Sequence, residues 1–204
     1  MKTRFSSVLR LALFAALGLL LPLPLGAGAP MEQVRGTLDN VLAVLNSPRL
    51  KADARKNERR QQLRAVIYSR FDFTEMAKRA LGSHWRRRTP EEQKEFVEVF
   101  SDLLENAYVD RIEAYNSEKF VYVRESEDKD FAEVNTKVIT KKGEEFSINY
   151  KLHLVNGEWR IYDVVIENIS LVNNYRSQFN RIITKSSYED LVRRMKDKRI
   201  EAVK

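Results

Sequence analysis

The apolar positions change their period twice along the chain, from helical to alternating and back to helical. A helix is predicted where apolar residues recur at three- and four-residue spacing from Val34 to Leu45, and Ser47-Pro48 ends it. A second, very basic helix is predicted over residues 52–69. The part of the chain that follows the N-terminal segment is therefore expected to begin with helices.

Two further helices carry explicit start signals. The first is capped by Asp72 or Thr74, is apolar on one face and ends at Gly82. The second begins at Thr89-Pro90-Glu91-Glu92, which places threonine at the N-cap, proline at the first helical position and glutamate where it completes a capping box. The apolar face of this long helix follows as Phe96, Phe100, Leu103, Leu104, Ala107, Tyr108 and Ile112.

The period then becomes two, which predicts antiparallel strands with one buried face. Strands are predicted at Phe120–Glu125, Phe131–Thr140, Phe146–Leu154 and Trp159–Ile166. Asn156-Gly157, between the last two strands, is a strong signal for a two-residue hairpin turn. The middle of the chain is therefore expected to form a four-strand meander.

Two helices are expected to close the chain. A short turn that contains Ser170 leads into a helix that starts at Asn173 or Asn174 and includes Tyr175–Thr184. The last helix is predicted at Tyr188–Arg199, with Ser186 and Glu189 as its capping box. Helices before and after the strands predict an α+β fold. In it, a curved four-stranded antiparallel sheet packs against the N-terminal and C-terminal helices.

The first 29 residues have the pattern of a secretory signal peptide, which leaves residues 30–204 as a single domain. Three basic residues precede an apolar run from Leu11 to Leu21. This run is shorter than the roughly 20 residues that a membrane-spanning helix needs. Cleavage is expected between Ala27 and Ala29, so the sequence predicts an exported protein.

Composition restricts the chemistry. The chain has no cysteine, which excludes disulfides, thiolate metal sites, thiol nucleophiles and a lipoprotein anchor. Its 36 Lys and Arg residues against 29 Asp and Glu residues give a net charge of +7, and without the three basic residues of the signal segment the balance is 33 against 29, or +4. This mild charge permits attraction to anionic lipid or to an acidic partner, but it does not indicate nucleic acid.

Only a few polar residues are candidates for a reactive site. His84 and His153 lie in different elements without ligand spacing, so no metal site is predicted, and His153 is expected to face solvent from the polar side of its strand. Asp163 beside Tyr162 could act as a general base, or it could accept hydrogen bonds from neighbouring backbone or an arginine. Ser170 lacks a Gly-x-Ser-x-Gly elbow, which favours a helix-cap or turn role.

Three basic runs stand out, at Arg49–Arg64, Arg86–Arg88 and Arg193–Arg199. Runs of this kind usually form solvated faces. The functional alternative is docking to anionic lipid or to an acidic partner, with salt-sensitive attraction.

Two blocks of the chain form a family pattern. One runs from Gly157 to Phe179, and the other consists of Phe71-Asp72-Phe73, Met76-Ala77, Leu81-Gly82, Trp85-Arg86, Thr89–Gln93, Phe96, Phe100, Leu103-Leu104 and Tyr108. Together they resemble the toluene-tolerance family, the periplasmic phospholipid-binding components of the Mla lipid-transport system. Asn168 stands where that family usually has glycine, and asparagine tolerates a positive φ better than most residues.

The resemblance implies a function that the residues alone do not. It implies a periplasmic, monomeric carrier that encloses the acyl chains of a diacyl phospholipid in an apolar cavity, without cofactor, metal, nucleic acid or enzymatic activity. It also implies two partners, an inner-membrane ABC-transporter complex and an outer-membrane lipoprotein–porin complex. The residues expected to bind lipid are Phe73, Met76, Leu81, Trp85, Phe96, Phe100, Leu103, Leu104, Tyr108, Ile148, Tyr150, Leu152, Tyr162, Val164, Ile166, Val172 and Tyr175.

Two alternatives stay open at this point. By themselves, the apolar stripe of residues 96–108 and the facing strand of residues 146–154 favour a filled core, which would suit an adaptor that binds only protein. The other alternative is an exported α+β enzyme that acts on an apolar small molecule with Asp163 as general base.

Overall fold

The computed structural model describes residues 29–114 and 118–200. Within these ranges the helices are α1 (Pro30–Asn46), α2 (Lys56–Arg70), α3 (Phe73–Leu81), α4 (Pro90–Glu113), α5 (Leu171–Lys185) and α6 (Tyr188–Lys196). The strands are β1 (Lys119–Asp128), β2 (Phe131–Ile139), β3 (Glu145–Val155), β4 (Glu158–Ile166) and β5 (Ile169–Ser170). Short 3-10 turns lie at Pro48–Leu50, Asp53–Arg55 and Gly82–Arg87. The predicted signal peptide, apart from Ala29, lies outside the described residues.

The sheet is antiparallel throughout, in the order β1-β2-β3-β4-β5. The α+β arrangement is confirmed, but the prediction of four strands is wrong. The fifth strand is two residues long and follows a two-residue turn in which Glu167 and Asn168 have φ values of 46° and 66°. Asn168 therefore adopts the left-handed conformation that glycine favours, and the turn brings Ile169 back beside Ile166.

The local start signals of α3 and α4 are confirmed. The Asp72 carboxylate accepts a hydrogen bond from the Glu75 amide at 2.8 Å, and α3 ends at Gly82 with a φ of 59°. At α4 the Glu92 amide donates to Thr89 Oγ1 at 3.2 Å, while the Thr89 amide donates to Glu92 Oε2 at 2.8 Å. The predicted capping box therefore forms.

The predicted start of α5 and the predicted cap of α6 are wrong, whereas α6 begins at Tyr188 as predicted. Helix α5 begins at Leu171, earlier than expected, because Ser170 is its N-cap and accepts from the Asn173 amide at 3.1 Å. Helix α6 is capped by Ser187 rather than by Ser186, and its Oγ accepts from the Asp190 amide at 3.1 Å. The turn or cap role predicted for Ser170 is confirmed.

A filled core holds the closing helices on the N-terminal half of α4. Phe96 contacts Phe179 edge to face, with ring centroids 5.8 Å apart, and Phe100 contacts Tyr175 in the same way at 5.5 Å. All four side chains are fully buried. Edge-to-face contacts of this kind add to the stabilisation by burial, so this cluster fixes α5 to α4. Phe96 also contacts Tyr188 of α6, with ring centroids 6.2 Å apart. Among the described residues, no helix has both the length and the apolar character needed to cross a membrane.

Candidate functional site

An apolar cavity of about 660 Å³ lies between the N-terminal helices and one face of the sheet. Its wall is formed by α1, α2, the start of α3, the C-terminal half of α4 and inward residues of the strands. The volume falls within the roughly 300–1,000 Å³ that is usual for small-molecule sites. The chemistry of the wall suits an apolar ligand, because aliphatic and aromatic side chains form most of it.

Eight of the seventeen residues predicted to bind lipid line this cavity. They come from three parts of the fold and converge on one space: Phe73, Met76, Leu104, Tyr108, Ile148, Tyr150, Val164 and Ile166. Tyr150 and Val164 are paired across β3 and β4, which places their side chains side by side on the sheet. Burial raises the pKa of the Tyr150 phenol, so this wall residue stays neutral at physiological pH.

The other nine predicted residues lie elsewhere. Phe96, Phe100 and Tyr175 belong to the filled core described above. Leu81, Leu103 and Leu152 are buried in the same packed interior. Trp85, Tyr162 and Val172 line a separate basic cleft. The apolar stripe of α4 therefore divides: its first half packs against α5 and α6, and only its second half reaches the cavity.

Sequence reasoning missed the contribution of the first two helices. On α1 the wall residues were predicted only as apolar positions that recur at helical spacing: Val34, Leu38, Val41, Leu42 and Leu45. On α2, which was predicted only as a very basic helix, they are Leu63 and Ile67. The apolar stripe on α1 was the available signal. Periodicity identifies the buried side of a helix but does not say whether that side meets other side chains or a ligand space.

Polar groups gather at one edge of the cavity, where α2 faces the end of α4. Glu113 accepts from Arg59 Nε at 2.8 Å and from Arg60 Nη2 at 2.7 Å, and Arg64 Nη1 lies 2.8 Å from Glu105 Oε2. Burial by itself would raise the pKa of Glu113, but the hydrogen bonds from Arg60 and Arg59 outweigh burial and lower it. This part of the first basic run is therefore paired with α4 rather than free in solvent.

A protein-family model described as MlaC protein matches residues 35–197, most of the chain. The chain belongs to the MlaC family. The match spans every helix and strand described above except the start of α1, so all of the cavity wall apart from Val34 lies within the family region.

Two curated relatives of this MlaC-family chain cover similar lengths. The toluene tolerance protein ttg2D of Pseudomonas putida is 26% identical over 175 residues, which are 85% of this chain and 81% of the relative. The intermembrane phospholipid transport system binding protein MlaC of Haemophilus influenzae is 21% identical over 172 residues, or 82% and 80% of the two chains. The family resemblance inferred from the two sequence blocks is thus confirmed.

A solved structure has the same fold. It is the phospholipid-binding protein of Ralstonia solanacearum in complex with a phospholipid, with a TM-score of 0.74 and 24% sequence identity. The similarity covers 83% of this chain and 96% of the other. At this identity the likeness establishes the α+β fold of the MlaC-family chain.

Asp163 does not line the cavity. Its Oδ2 accepts from Ser170 Oγ at 2.6 Å and its Oδ1 accepts from the Val172 amide at 3.1 Å, and the residue is only 4% exposed. Both carboxylate oxygens are thus used to hold the start of α5. This is the structural role predicted as the alternative to a general base.

The two histidines occupy structural positions. His153 does not face solvent as predicted: its Nε2 lies 3.0 Å from Asp72 Oδ2, and both side chains are half-buried. His84 Nε2 lies 2.9 Å from Asn180 Oδ1. Nowhere in residues 29–114 and 118–200 do three His, Cys, Asp or Glu side chains gather in a way that could hold a metal ion.

A groove of about 580 Å³, lined by both polar and apolar side chains, adjoins the cavity. The two spaces share Arg64, Tyr68, Phe71 and Phe73 in their walls. The rings of Tyr68 and Phe73 lie 4.4 Å apart, and the Arg64 guanidinium lies 4.7 Å above the Tyr68 ring. A partition of aromatic side chains therefore separates the apolar cavity from the groove.

Proposed function

We propose that the protein is a periplasmic carrier that holds one glycerophospholipid, with the acyl chains in the apolar cavity. The observation that carries the proposal is the convergence of four helices and the sheet on one apolar space, within a chain of the MlaC family. A filled-core adaptor would not need such a space. The eight predicted residues in the wall, together with the apolar residues of α1 and α2, are the proposed acyl-chain contacts.

The energetics of such a carrier follow from burial. Each buried methylene is worth about 0.8 kcal/mol relative to water, so two long acyl chains carry on the order of 25 kcal/mol. Because the lipid comes from and returns to a bilayer, the cavity has to match the bilayer interior and not water. The free energy of moving a lipid between bilayer and cavity is then close to zero, so transfer is reversible. Its direction depends on partner proteins. An apolar wall does not select among head groups.

The relatives support the transport part of the proposal. One is named as the binding protein of an intermembrane phospholipid transport system, and the structural neighbour contains a phospholipid. We infer for this chain that it shuttles lipid between an inner-membrane ABC-transporter complex and an outer-membrane lipoprotein–porin complex. The secretory pattern of the first 29 residues supports a periplasmic location.

Uptake from vesicles tests this function. Delipidated protein is incubated with vesicles that contain a fluorescent phospholipid, separated from them by centrifugation, and then mixed with acceptor vesicles. We expect fluorescence first in the protein fraction and then in the acceptor vesicles. Protein that acquires no lipid from the donor, although circular dichroism shows it folded, would contradict the carrier function.

A further inference from the structure

A basic cleft of about 300 Å³ lies apart from the apolar cavity. Five cationic side chains from α3, the following 3-10 turn, β3 and α5 line it: Lys78, Arg79, Arg86, Lys151 and Arg176. The cleft and the cavity share no wall residue. Tyr150 faces the cavity and Lys151 faces the cleft, and successive residues of a strand point to opposite faces. The cleft is therefore on the other side of the sheet.

The cationic side chains of the cleft outnumber its carboxylates. Lys78 and Arg79 pair with Glu75 at 3.0 and 2.8 Å. Arg86, Lys151 and Arg176 form no ion pair with any residue of the described ranges. The remaining carboxylate in the wall, Asp163, is already bonded to Ser170 and to the Val172 amide. Neighbouring like charges repel one another, and a bound anion would relieve that repulsion.

Two of the arginines are positioned by their surroundings. The Arg79 guanidinium lies 4.1 Å from the ring centroid of Tyr162 while its Nε donates to Glu75. Arg176 lies against Gly82, where a Cβ atom would come within 2.9 Å of its Nε. Gly82 also has a φ of 59°, so glycine serves both the turn and the close approach of the guanidinium. These contacts position two guanidinium groups in one cleft.

We propose that this cleft binds the phosphate group of a phospholipid at a membrane surface. Guanidinium groups match phosphate oxygens with paired, charge-assisted hydrogen bonds. The volume is at the lower end of the range for ligand sites, which suits one phosphate group better than an extended acidic peptide. Because the cleft lies across the sheet from the cavity, its phosphate belongs to a lipid of the bilayer and not to the lipid whose chains fill the cavity. The proposal is thus independent of the cargo.

The interaction would orient the carrier on a membrane. The Val172 and Asn173 amides at the start of α5 do not contribute, since they already donate to Asp163 and Ser170. Recognition then depends on the cationic side chains, and substitutions of these side chains can remove it. Of the basic run at residues 86–88, Arg86 lines the cleft, whereas Arg88 pairs with Glu92 and stacks on Tyr188.

Co-sedimentation with vesicles tests the proposal. The vesicles contain phosphatidylcholine mixed with phosphatidic acid, and a matched set carries an anionic fatty acid at the same surface charge. The cleft variant is Lys151→Gln with Arg176→Gln; neither residue pairs with another described residue. The control is Arg181→Gln with Lys185→Gln, which removes the same charge from exposed positions of α5 outside the cleft. We expect the cleft variant to bind phosphatidic acid vesicles at least about tenfold more weakly than the control.

Three outcomes would contradict the proposal. Equal losses of vesicle binding in the cleft and control variants would mean that the protein is attracted to the vesicles by its general surface charge. Equal binding of the fatty-acid vesicles would mean an anion patch without preference for phosphate. Binding of inorganic phosphate without binding to vesicles would assign the cleft to the free ion. Bound cargo, measured by native mass spectrometry in the same samples, is expected to be unchanged in both variants, which separates this proposal from the carrier function.

Discussion

Arg59 and Glu113 form an ion pair that joins α2 to the end of α4 at the polar edge of the cavity. Arg59 Nη2 and Glu113 Oε1 are 2.8 Å apart, and the side chains are only 15% and 9% exposed. Arg60 adds a second contact to the same carboxylate. Two helices that wall the cavity are thus connected by charges that are largely out of contact with water.

Loss of this carboxylate is expected to destabilise the protein. Glu113→Gln leaves two arginines facing a neutral amide, and we expect a loss of about 1–3 kcal/mol in the free energy of unfolding, measured with denaturant. The control is Glu58→Gln, whose partners Arg49 and Arg55 are exposed, and we expect it to cost less than about 1 kcal/mol. Equal effects would show that the contact at Glu113 is no stronger than a surface pair.

The pKa of Glu113 also predicts part of the loss of folding stability at acid pH. The pKa of Glu113 is lower in the folded protein than in the unfolded chain. Its contribution to the free energy of unfolding is therefore fully present at pH values above the pKa of a glutamate in the unfolded chain, about 4.3. The contribution is lost as pH falls through the lower, folded pKa. Stability curves measured against pH should therefore fall less steeply below about pH 4 in Glu113→Gln than in the wild type. Parallel curves would contradict the assignment.

Substitutions in the cavity wall should block lipid and spare the fold. Leu104→Trp and Val164→Arg place bulk or charge in the space proposed for acyl chains. The matched control is Val123→Arg on the outer edge strand, where the residue is 56% exposed. We expect strongly reduced uptake from fluorescent vesicles for the two wall variants and normal uptake for the control.

Loss of fold is the confounding outcome, because large changes in a packed interior cost a few kcal/mol. Circular dichroism and thermal unfolding of all three variants resolve it. Wall variants that stay folded and take up full amounts of lipid would mean that the acyl chains lie elsewhere.

The aromatic partition is expected to limit the length of bound chains. Tyr68→Ala removes one ring of the pair that separates the cavity from the adjoining groove. The joined space should admit longer acyl chains, which mass spectrometry of extracted lipids would detect. Ser69→Ala, an exposed neighbour outside both walls, is the control. An unchanged distribution of chain lengths in Tyr68→Ala would show that the partition is not the limit.

Ser170 and Asp163 are expected to act on stability and not on lipid content. Ser170→Ala removes the N-cap of α5 and one hydrogen bond to the buried carboxylate, for a cost of about 1–2 kcal/mol. Lipid bound per folded chain should stay the same, because neither residue lines the cavity. An Asp163→Asn variant that is fully folded but has lost a catalysed conversion of an apolar substrate would instead support the enzyme alternative.

The sequence predicted what depends on near neighbours. The capping box at Thr89 and the hairpin at Asn156-Gly157 were correct, because their geometry is determined by a few adjacent residues. The fifth strand was missed because it has only two residues and follows from the positive φ values of Glu167 and Asn168. Asn168 adopts the left-handed conformation of that turn although it is not a glycine.

The position of the cavity was harder to predict. Helix α4 has 24 residues and is about 36 Å long, so its apolar stripe extends past the filled core and reaches the cavity. Phe100 and Leu104 are one turn apart in sequence and identical in pattern, yet Phe100 packs against Tyr175 while Leu104 lines the cavity. Tertiary packing determines which of the two residues lines the cavity, and hydrophobic periodicity does not predict that packing.

Native mass spectrometry of the purified protein, followed by extraction and identification of the lipid, tests the central claim most directly. The account predicts a complex with one diacyl phospholipid per chain after mild purification, with mixed head groups because the wall is apolar. Protein that is lipid-free after mild purification, and still lipid-free after incubation with phospholipid vesicles, would contradict it.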